Sequence, residues 1–401
     1  MPEAVVVAAG RTPIGRAAKG SLVDCRPDDL LASVMRGVLG RVPALDPGTI
    51  EDIVVGCAQP AGESGFNIAR VAGLLLGRSD LPGTTVSRYC ASSLQALRIA
   101  AHAVRAGEGD VFLVGGIETV SRYVNGKADD GPRNPRFEGA VERSERRASG
   151  GADRWEPATG LPDVYIAMGQ TAENVAEIEH VSRAEMDEFA LLSQTRAVTA
   201  QKDGFFDREI VPVTTPAGLE VGSDDGPRPG TSLEALGKLE PVFRPGGTVT
   251  AGNCCPLNDG AAALVVTSDR RAAELGIAPL ARVVASGVSA LDPEIMGLGP
   301  IEASRQALRR AGMTMGDVDL VEINEAFAAQ AIPCARHLGV DWDRLNVRGG
   351  AIALGHPFGM TGARIATTLL NALQDCGGTI GLETMCTAGG QGMAMIFERS
   401  S

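Results

Sequence analysis

The chain has 401 residues, of which 44% are hydrophobic and 51 are glycine, a composition typical of folded α/β proteins rather than of disordered ones. This length exceeds what one simple core organises, so two domains or an internal duplication are expected. With 37 basic and 49 acidic residues the net charge is −12, which argues against nucleic acid or an anionic membrane as the main partner. An anionic small ligand would therefore need a local group of basic side chains.

The eight cysteines form no Cys-x-x-Cys pair and no zinc-ligand spacing, so neither a disulfide scaffold nor a metal site is expected. No apolar stretch approaches the roughly 18 residues that span a bilayer. The opening MPEAVVVAAG lacks the features of a secretory signal, and the final FERSS is not a peroxisomal address. The expected location is a reducing cytoplasm.

The first chemically informative segment is VSRYCASSLQALRIAAHAVRAG, residues 86–107. Residues 84–86 favour a strand, and from Ser92 the spacing of leucine, alanine and valine predicts a helix that ends at Gly107. Cys90 therefore lies at or just before a helix N-terminus, where free N–H groups and the helix dipole stabilise a thiolate. For a single cysteine, a buried and unreactive thiol is the alternative.

The middle of the chain, residues 119–249, differs in composition from the rest: it is rich in arginine, glycine and proline and shows little hydrophobic periodicity. We expect a surface excursion with a short helical part from Gly169 to Ala200. A loop of such length inside a compact domain is usually functional or disordered. Its arginines are the best local supply of positive charge, although each one is equally compatible with a solvated surface position.

Two pairs of segments match at nearly the same separation along the chain. LGRVPALDPGTIEDIVVGCAQ, which contains Asp52, resembles LRRAGMTMGDVDLVEINEAF, which contains Asp319, and CASSLQALRIA from Cys90 resembles HPFGMTGARIA from His356. The pattern indicates two copies of one α/β unit. Cys90 and His356 would then occupy equivalent positions, and a two-fold pairing of the copies would bring the two helix N-termini together.

The duplication predicts a division of the chain. The first core half comprises residues 1–118 and 250–275, the excursion comprises residues 119–249, and the second core half comprises residues 276–401.

Three later motifs place polar side chains where strands end or helices begin. VRGGAIALGHPFGMTGAR holds His356 in a glycine-rich turn before a helix, and EINEAFAAQ places Asn324 at the end of a strand. TMCTAGGQGMAMIFE places Cys386 at the end of another strand, followed by glycines that let backbone N–H groups approach a ligand.

Taken together, these motifs resemble those of the thiolases, which interconvert a 3-ketoacyl-CoA plus CoA with a shortened acyl-CoA plus acetyl-CoA. The resemblance runs from AAGRTPIGR to the C-terminus and includes FNIAR, GGIETVSR, MGQTAENVA, TAGNCCPLNDGAAA and IMGLGPIEA. It implies a thiolase fold, in which a duplicated α/β unit gives α-β-α-β-α layers and a loop excursion covers the active site. It also implies a homodimer or homotetramer, with coenzyme A as substrate and no further cofactor.

The resemblance assigns five catalytic positions. Cys90 matches the nucleophile that accepts the acyl group, His356 the base that activates it, and Cys386 the acid/base that handles the α-proton of acetyl-CoA. Asn324, with His356, matches the oxyanion hole for the enolate, and the N–H groups of Cys90 and Ala388 match a second hole for the tetrahedral intermediate. We expect His356 and the helix N-terminus to lower the pKa of Cys90 and populate its thiolate.

For CoA, the resemblance points to a second set of residues. Arg228 matches a position near the adenine and phosphates, where a guanidinium suits phosphate geometry. Met168 and Met296 match residues that line the acyl and pantetheine pocket, and Phe327 lies near it. Cys255 replaces a serine that contacts CoA, which puts this contact in doubt because a thiol is a weak hydrogen-bond partner.

Departures from the family pattern favour degradation. Ala167 stands where acetoacetyl-specific biosynthetic thiolases often have a histidine, which would open the pocket, and the nearest likeness is to actinobacterial thiolases of the steroid side-chain type. Three alternatives stay open: an acetoacetyl-CoA-forming biosynthetic thiolase, a condensing enzyme like the β-ketoacyl synthases, and a non-catalytic acyl-CoA carrier. The presence of Cys90, His356 and Cys386 together favours a catalytic thiolase.

Overall fold

The computed structural model describes residues 1–123, 131–150 and 154–400. The strands are β1 (Ala4–Arg11), β2 (Gly15–Arg16), β3 (Asp52–Cys57), β4 (Gly83–Val86), β5 (Val111–Thr119), β6 (Val213–Thr214), β7 (Glu220–Val221), β8 (Asn258–Ser268), β9 (Ala281–Ala290), β10 (Leu320–Ile323), β11 (Ile380–Thr387) and β12 (Gln391–Arg399). The helices are α1 (Pro27–Gly40), α2 (Ile68–Leu75), α3 (Ser92–Ala106), α4 (Glu138–Ala148), α5 (Met168–Ile178), α6 (Arg183–Lys202), α7 (Leu233–Gly237), α8 (Asp269–Glu274), α9 (Gly299–Ala311), α10 (Ala328–Leu338), α11 (Ala351–Leu354) and α12 (Thr361–Cys376).

The strands pair in an order that repeats. In the first part of the main sheet, β4, β3 and β5 are parallel neighbours, β8 is antiparallel to β5, and β1 is antiparallel to β8. In the second part β10 and β11 are parallel, followed by antiparallel β12 and β9, and Val321 forms a parallel bridge with Leu345 in the place that β4 takes in the first. This repetition agrees with the predicted duplication of an α/β unit.

The two parts meet at the middle of the sheet, where β1 pairs with β9 through Val5 and Val6. Helices α3 and α12 contact each other between the two parts, α1 packs outside on β8, and α9 packs outside on β9 and β12. Among the described residues, three apolar clusters fill the spaces between these elements, one around α3 and α12 and one on each outer side. The predicted α-β-α-β-α layering therefore describes the molecule.

The excursion contains more helix than the sequence predicted. The single helical part expected from Gly169 to Ala200 is in fact two helices, α5 and α6, because residues 179–182 turn and Ser182 caps α6 with a reciprocal Glu185 contact. Helix α4 was missed altogether, since its buried face carries small and polar side chains rather than an apolar stripe. Residues 124–130 and 151–153 of the predicted excursion lie outside the described residues.

No helix in the described ranges is both long enough and apolar enough to cross a membrane.

Candidate active site

Cys90 lies in a short 3-10 turn immediately before α3, as predicted. The preceding Tyr89 has a positive φ of 42°, so the chain turns sharply just before the cysteine. The Ser92 hydroxyl holds this turn by accepting from the Arg88 N–H at 2.9 Å and donating to the Tyr89 carbonyl at 2.6 Å. The turn therefore presents Cys90 at the helix N-terminus.

The N-termini of α3 and α12 meet, as the duplication predicted. The Ser93 hydroxyl on α3 accepts a hydrogen bond from the Ala363 N–H on α12 at 2.9 Å. A Cβ at Gly362 would lie 2.5 Å from the Leu94 nitrogen, so a glycine is needed for the two helices to approach this closely. Cys90 and His356, far apart in sequence, consequently lead into two helices that pack together.

His356 is buried, with 1% of its surface exposed, and its ring is held on both sides. Its Nδ1 lies 2.6 Å from the Thr361 hydroxyl, which itself donates to the Pro357 carbonyl at 2.8 Å. Since the hydroxyl has one proton and donates it to Pro357, it accepts from His356, and the imidazole proton is on Nδ1. Nε2 is then the unprotonated nitrogen that can act as a base.

Asn324 follows β10 and faces that nitrogen. Its Nδ2 lies 3.3 Å from His356 Nε2, and its backbone N–H donates to the Thr384 carbonyl at 2.9 Å. The Asn324 Oδ1 is buried and has no hydrogen-bond partner among the described residues. A buried amide oxygen with no protein partner is available to accept a hydrogen bond from a water or a ligand, so the Asn324–His356 pair borders a polar binding position.

Cys386 is fully buried on β11. Its burial raises the pKa of its thiol, and a negative charge on nearby Cys90 raises that pKa further. Beyond it the chain turns through Gly389 and Gly390, with φ of 78° and 75°, and the N–H of Ala388 bonds the Cys90 sulfur. The left-handed turn falls on the glycines, so the methyl group of Ala388 is accommodated.

The ionisation of the site differs from the prediction. Burial raises the pKa of Cys90 to about 12, with the N–H groups of Ala388 and Cys90 acting in the opposite direction. Burial, and then the charge of Arg364, lowers the pKa of His356 to about 3. The prediction of a populated thiolate in the free protein is therefore wrong, because the sequence indicates the helix N-terminus but not the burial. The resting pair is a neutral thiol and a neutral imidazole.

A cavity of about 620 Å³ opens at Cys90. Its lining includes Cys90, Ala388, Met168, Phe358, Tyr165 and Arg133.

Of the predicted CoA residues, only Met168 lies on that lining, as far as the described residues go. Met296 and Phe327 are buried, and Phe327 packs edge-on against Phe243 at 6.1 Å. The Cys255 N–H donates to the Ala326 carbonyl at 3.0 Å. Burial raises the pKa of the Cys255 thiol, and the charges of Cys254 and Cys90 raise it further.

Arg228 lies outside this cavity, in the excursion between β7 and α7. Its backbone N–H donates to Gln194 Oε1 at 2.8 Å, and burial lowers the pKa of its half-exposed guanidinium. The structure thus places Ala388 and Cys386 next to Cys90, and Asn324 next to His356. Of the predicted CoA residues, it places Met168 on the cavity wall and Cys255 near Cys90.

Sequence reasoning missed Glu118, which follows the apolar run of β5. Its buried carboxylate accepts from the N–H groups of Ala58 at 2.8 Å and Gly359 at 2.9 Å, and from the Tyr123 hydroxyl. It therefore ties the end of β3 to the segment that carries His356. A glutamate at the end of a buried strand was the available sign, but its partners are distant in sequence.

Comparisons with known proteins agree with this geometry. The model of the thiolase N-terminal domain matches residues 4–270, and that of the thiolase C-terminal domain matches residues 277–399. The chain is 44% identical to a 3-ketoacyl-CoA thiolase of Aeromonas hydrophila and 44% identical to the 3-oxoadipyl-CoA/3-oxo-5,6-dehydrosuberyl-CoA thiolase of Escherichia coli K12, in both cases over 100% of each chain. The human mitochondrial 3-ketoacyl-CoA thiolase superposes with a TM-score of 0.87 at 36% identity, covering 100% of this chain and 99% of that one. The chain belongs to the thiolase family.

Proposed function

We propose that the protein cleaves 3-ketoacyl-CoA with CoA, giving acetyl-CoA and an acyl-CoA shortened by two carbons, through an S-acyl intermediate on Cys90. The observation that carries this is that Cys90 and His356 lead into two helices that pack together, one from each copy of the unit. The Ala388 N–H bonds the Cys90 sulfur, and the contact with Thr361 leaves His356 Nε2 unprotonated. Relatives named 3-ketoacyl-CoA and β-ketoadipyl-CoA thiolases support the degradative direction over the biosynthetic, condensing-enzyme and carrier alternatives.

In the first half-reaction, His356 Nε2 takes the proton of the Cys90 thiol, and the sulfur attacks the C3 carbonyl of the substrate. The N–H groups of Ala388 and Cys90 donate to the resulting oxyanion. The C2–C3 bond then breaks, and the electron pair enters an acetyl-CoA enolate whose oxygen lies at Asn324 and the protonated His356. The Cys386 thiol delivers its proton to C2, which releases acetyl-CoA.

In the second half-reaction, the Cys386 thiolate takes the proton of incoming CoA, and the CoA sulfur attacks the acyl group on Cys90. Cys90 leaves as a thiolate and recovers its proton from His356. The site thus returns to two thiols and a neutral imidazole. Because burial raises the pKa of both cysteines, the neutral thiol is the form to which each cysteine returns at the end of the cycle.

Cysteine usage supports a reducing cytoplasmic location, since all eight cysteines are free thiols. The exposed edge of the sheet supports an oligomer, either a homodimer or a homotetramer. The strand β4 is an edge strand, and beside it Phe66 is 95% exposed with a φ of 54°, an exposure that a second copy would relieve.

The division into residues 1–118 with 250–275, 119–249 and 276–401 is likewise proposed. It is supported by the repeated strand order on either side of the β1–β9 junction. The CoA role of Arg228, Met296, Phe327 and Cys255, the absence of a further cofactor and the likeness to steroid side-chain thiolases stay predictions.

Incubating the protein with CoA and saturated 3-ketoacyl-CoAs of four to ten carbons tests the function, with products separated by mass. We expect acetyl-CoA and the acyl-CoA two carbons shorter, formed only when CoA is present. Cleavage of acetoacetyl-CoA alone would favour the biosynthetic alternative. Absence of cleavage at every length would contradict the proposal.

A further inference from the structure

Among the described residues, the cavity at Cys90 has one cationic side chain on its wall, that of Arg133. Arg133 lines it together with Cys90 and Ala388, whereas the described lining contains no aspartate or glutamate. Two other arginines of the excursion, Arg143 and Arg147, both pair with Glu294. Among the described residues, no carboxylate lies within ion-pair distance of Arg133. In a chain of net charge −12, the cavity that holds Cys90 thus presents a guanidinium with no ion-pair partner among the described residues.

Tyr165 holds this guanidinium against the wall. The Arg133 Cζ lies 5.2 Å from the centre of the Tyr165 ring, within the range of a cation–π contact. The ring is itself fixed, because it packs edge-on against Phe137 at 5.5 Å and its hydroxyl accepts from the Asn134 N–H at 3.2 Å. Stacking uses the flat face of a guanidinium and leaves its N–H groups available to an anion.

The rest of this wall is mainly apolar. Val164, Ile166 and Met168 line the cavity from the segment that leads into α5, and Phe358 lines it from the segment after His356. Apolar walls favour an extended hydrocarbon chain, and a guanidinium favours a planar oxyanion such as a carboxylate. The occupant that fits both is an acyl chain that is apolar along its length and anionic at its far end.

We propose that Arg133 is a specificity-determining residue that selects 3-ketoacyl-CoA substrates whose acyl chain ends in a carboxylate. The guanidinium binds that carboxylate while the C3 carbonyl lies at Cys90. This inference rests on the proposed thiolase function and names its substrate class. A phosphate of CoA is the other source of an oxyanion for Arg133, and the experiment separates the two.

The test compares pairs of 3-ketoacyl-CoAs of equal length, from six to ten carbons, that end either in a carboxylate or in a methyl group. For each pair the readout is the selectivity, the ratio of the two kcat/KM values. We expect the wild-type protein to prefer the carboxylate at one or more lengths. Arg133→Met should lower that ratio about 10- to 100-fold, as expected for losing a hydrogen-bonded ion pair, and Arg133→Lys should retain part of it.

Arg136→Met is the matched control, because Arg136 is an exposed arginine of the same segment that does not line the cavity. It should leave the ratio unchanged. An Arg133→Met variant that loses kcat/KM equally for both members of a pair, or that raises the KM for free CoA in both reactions, would assign Arg133 to CoA and overturn the proposal. A wild-type ratio at or below one at every length would also overturn it, with the thiolase function intact. Failure to cleave either member of any pair would overturn both.

Discussion

The two copies of the α/β unit put the same framework to different uses. Gly116 on β5 and Thr384 on β11 occupy equivalent places in the parallel strand pairs, and two positions further along lie Glu118 in the first copy and Cys386 in the second. Glu118 is a buried carboxylate whose bonds fix backbone N–H groups. Cys386 is a buried thiol beside Cys90. One position thus serves as a structural tie in one copy and as a proposed acid/base in the other.

Neither copy holds all of the groups that the proposed chemistry needs. The first copy supplies the thiol of Cys90, and the second supplies His356, Asn324 and Cys386. Charges from each copy also act on the shared site: Glu118 contributes to the raised pKa of Cys90, and Arg364 contributes to the lowered pKa of His356. Both effects favour the neutral thiol and imidazole over the ion pair.

The largest expected effect comes from removing the base of the second copy. His356→Gln should slow acylation of Cys90 by about 10² to 10⁴-fold, because the protonated thiol then has no adjacent base. Rapid-quench measurement of acyl-enzyme formation would detect it. His337→Gln is the control, since His337 is exposed and pairs with Glu179 at the surface. Equal acylation rates in the two variants would remove His356 from this role.

Asn324→Ala should separate the two half-reactions. Carbon–carbon cleavage should slow by about 10² to 10³-fold, the cost of losing one preorganised oxyanion donor. Acetylation of Cys90 by acetyl-CoA should slow less, because its oxyanion lies at Ala388 and Cys90. Asn371→Ala is the control, because it removes an asparagine amide on α12 that donates only to the Thr367 carbonyl in the hydrogen bonds of the described residues. Equal slowing of both half-reactions by Asn324→Ala would contradict the assignment of two separate oxyanion positions.

Glu118→Ala should affect stability, since it leaves the buried N–H groups of Ala58 and Gly359 without an acceptor. The free energy of unfolding should fall by about 2 to 4 kcal/mol, measured by urea denaturation. Glu234→Ala, which breaks an exposed pair with Lys238, should change it by less than about 0.5 kcal/mol. Similar values for the two variants would show that Glu118 is not a structural tie.

The smallest predicted effect is on the pH dependence of stability. The pKa of His356 is lowered to about 3 in the folded protein, so between pH 6.5 and 3 the unfolded chain binds a proton that the folded chain does not. This contribution is fully present above pH 6.5 and is lost as the pH falls. Between pH 6.5 and 4.5, the unfolding free energy of the wild-type protein should therefore drop by about 2 kcal/mol more than that of His356→Gln. Parallel curves would indicate an ordinary, solvated imidazole.

Local patterns predicted much of this molecule. The helix from Ser92 to Gly107 and the placing of Asn324 and Cys386 at strand ends follow from periodicity and glycine positions, and the structure has them. The meeting of the Cys90 and His356 helices was predicted from the repeated segments. These features are predictable because they depend on the local sequence and on its repetition along the chain.

The features that escaped prediction depend on tertiary contacts. Glu118 acts on Gly359 from the other copy, and Thr361 sets the tautomer of His356 through a hydroxyl orientation that only the fold defines. The raised pKa of Cys90 likewise depends on burial, which a helix N-terminus does not reveal. Helix α4 was missed because its buried residues include Ser144 and Arg147 in place of apolar side chains.

The central claim is that Cys90, activated across the two copies, carries the acyl group. Its most direct test is the intact mass of the protein after brief incubation with acetyl-CoA, for the wild type and for Cys90→Ala, with Cys376→Ala as a control that removes an exposed thiol. We expect an added mass of about 42 Da, one acetyl group in place of hydrogen, on the wild type and on Cys376→Ala but not on Cys90→Ala. An adduct that persists in Cys90→Ala, or none on a folded wild-type protein, would contradict it.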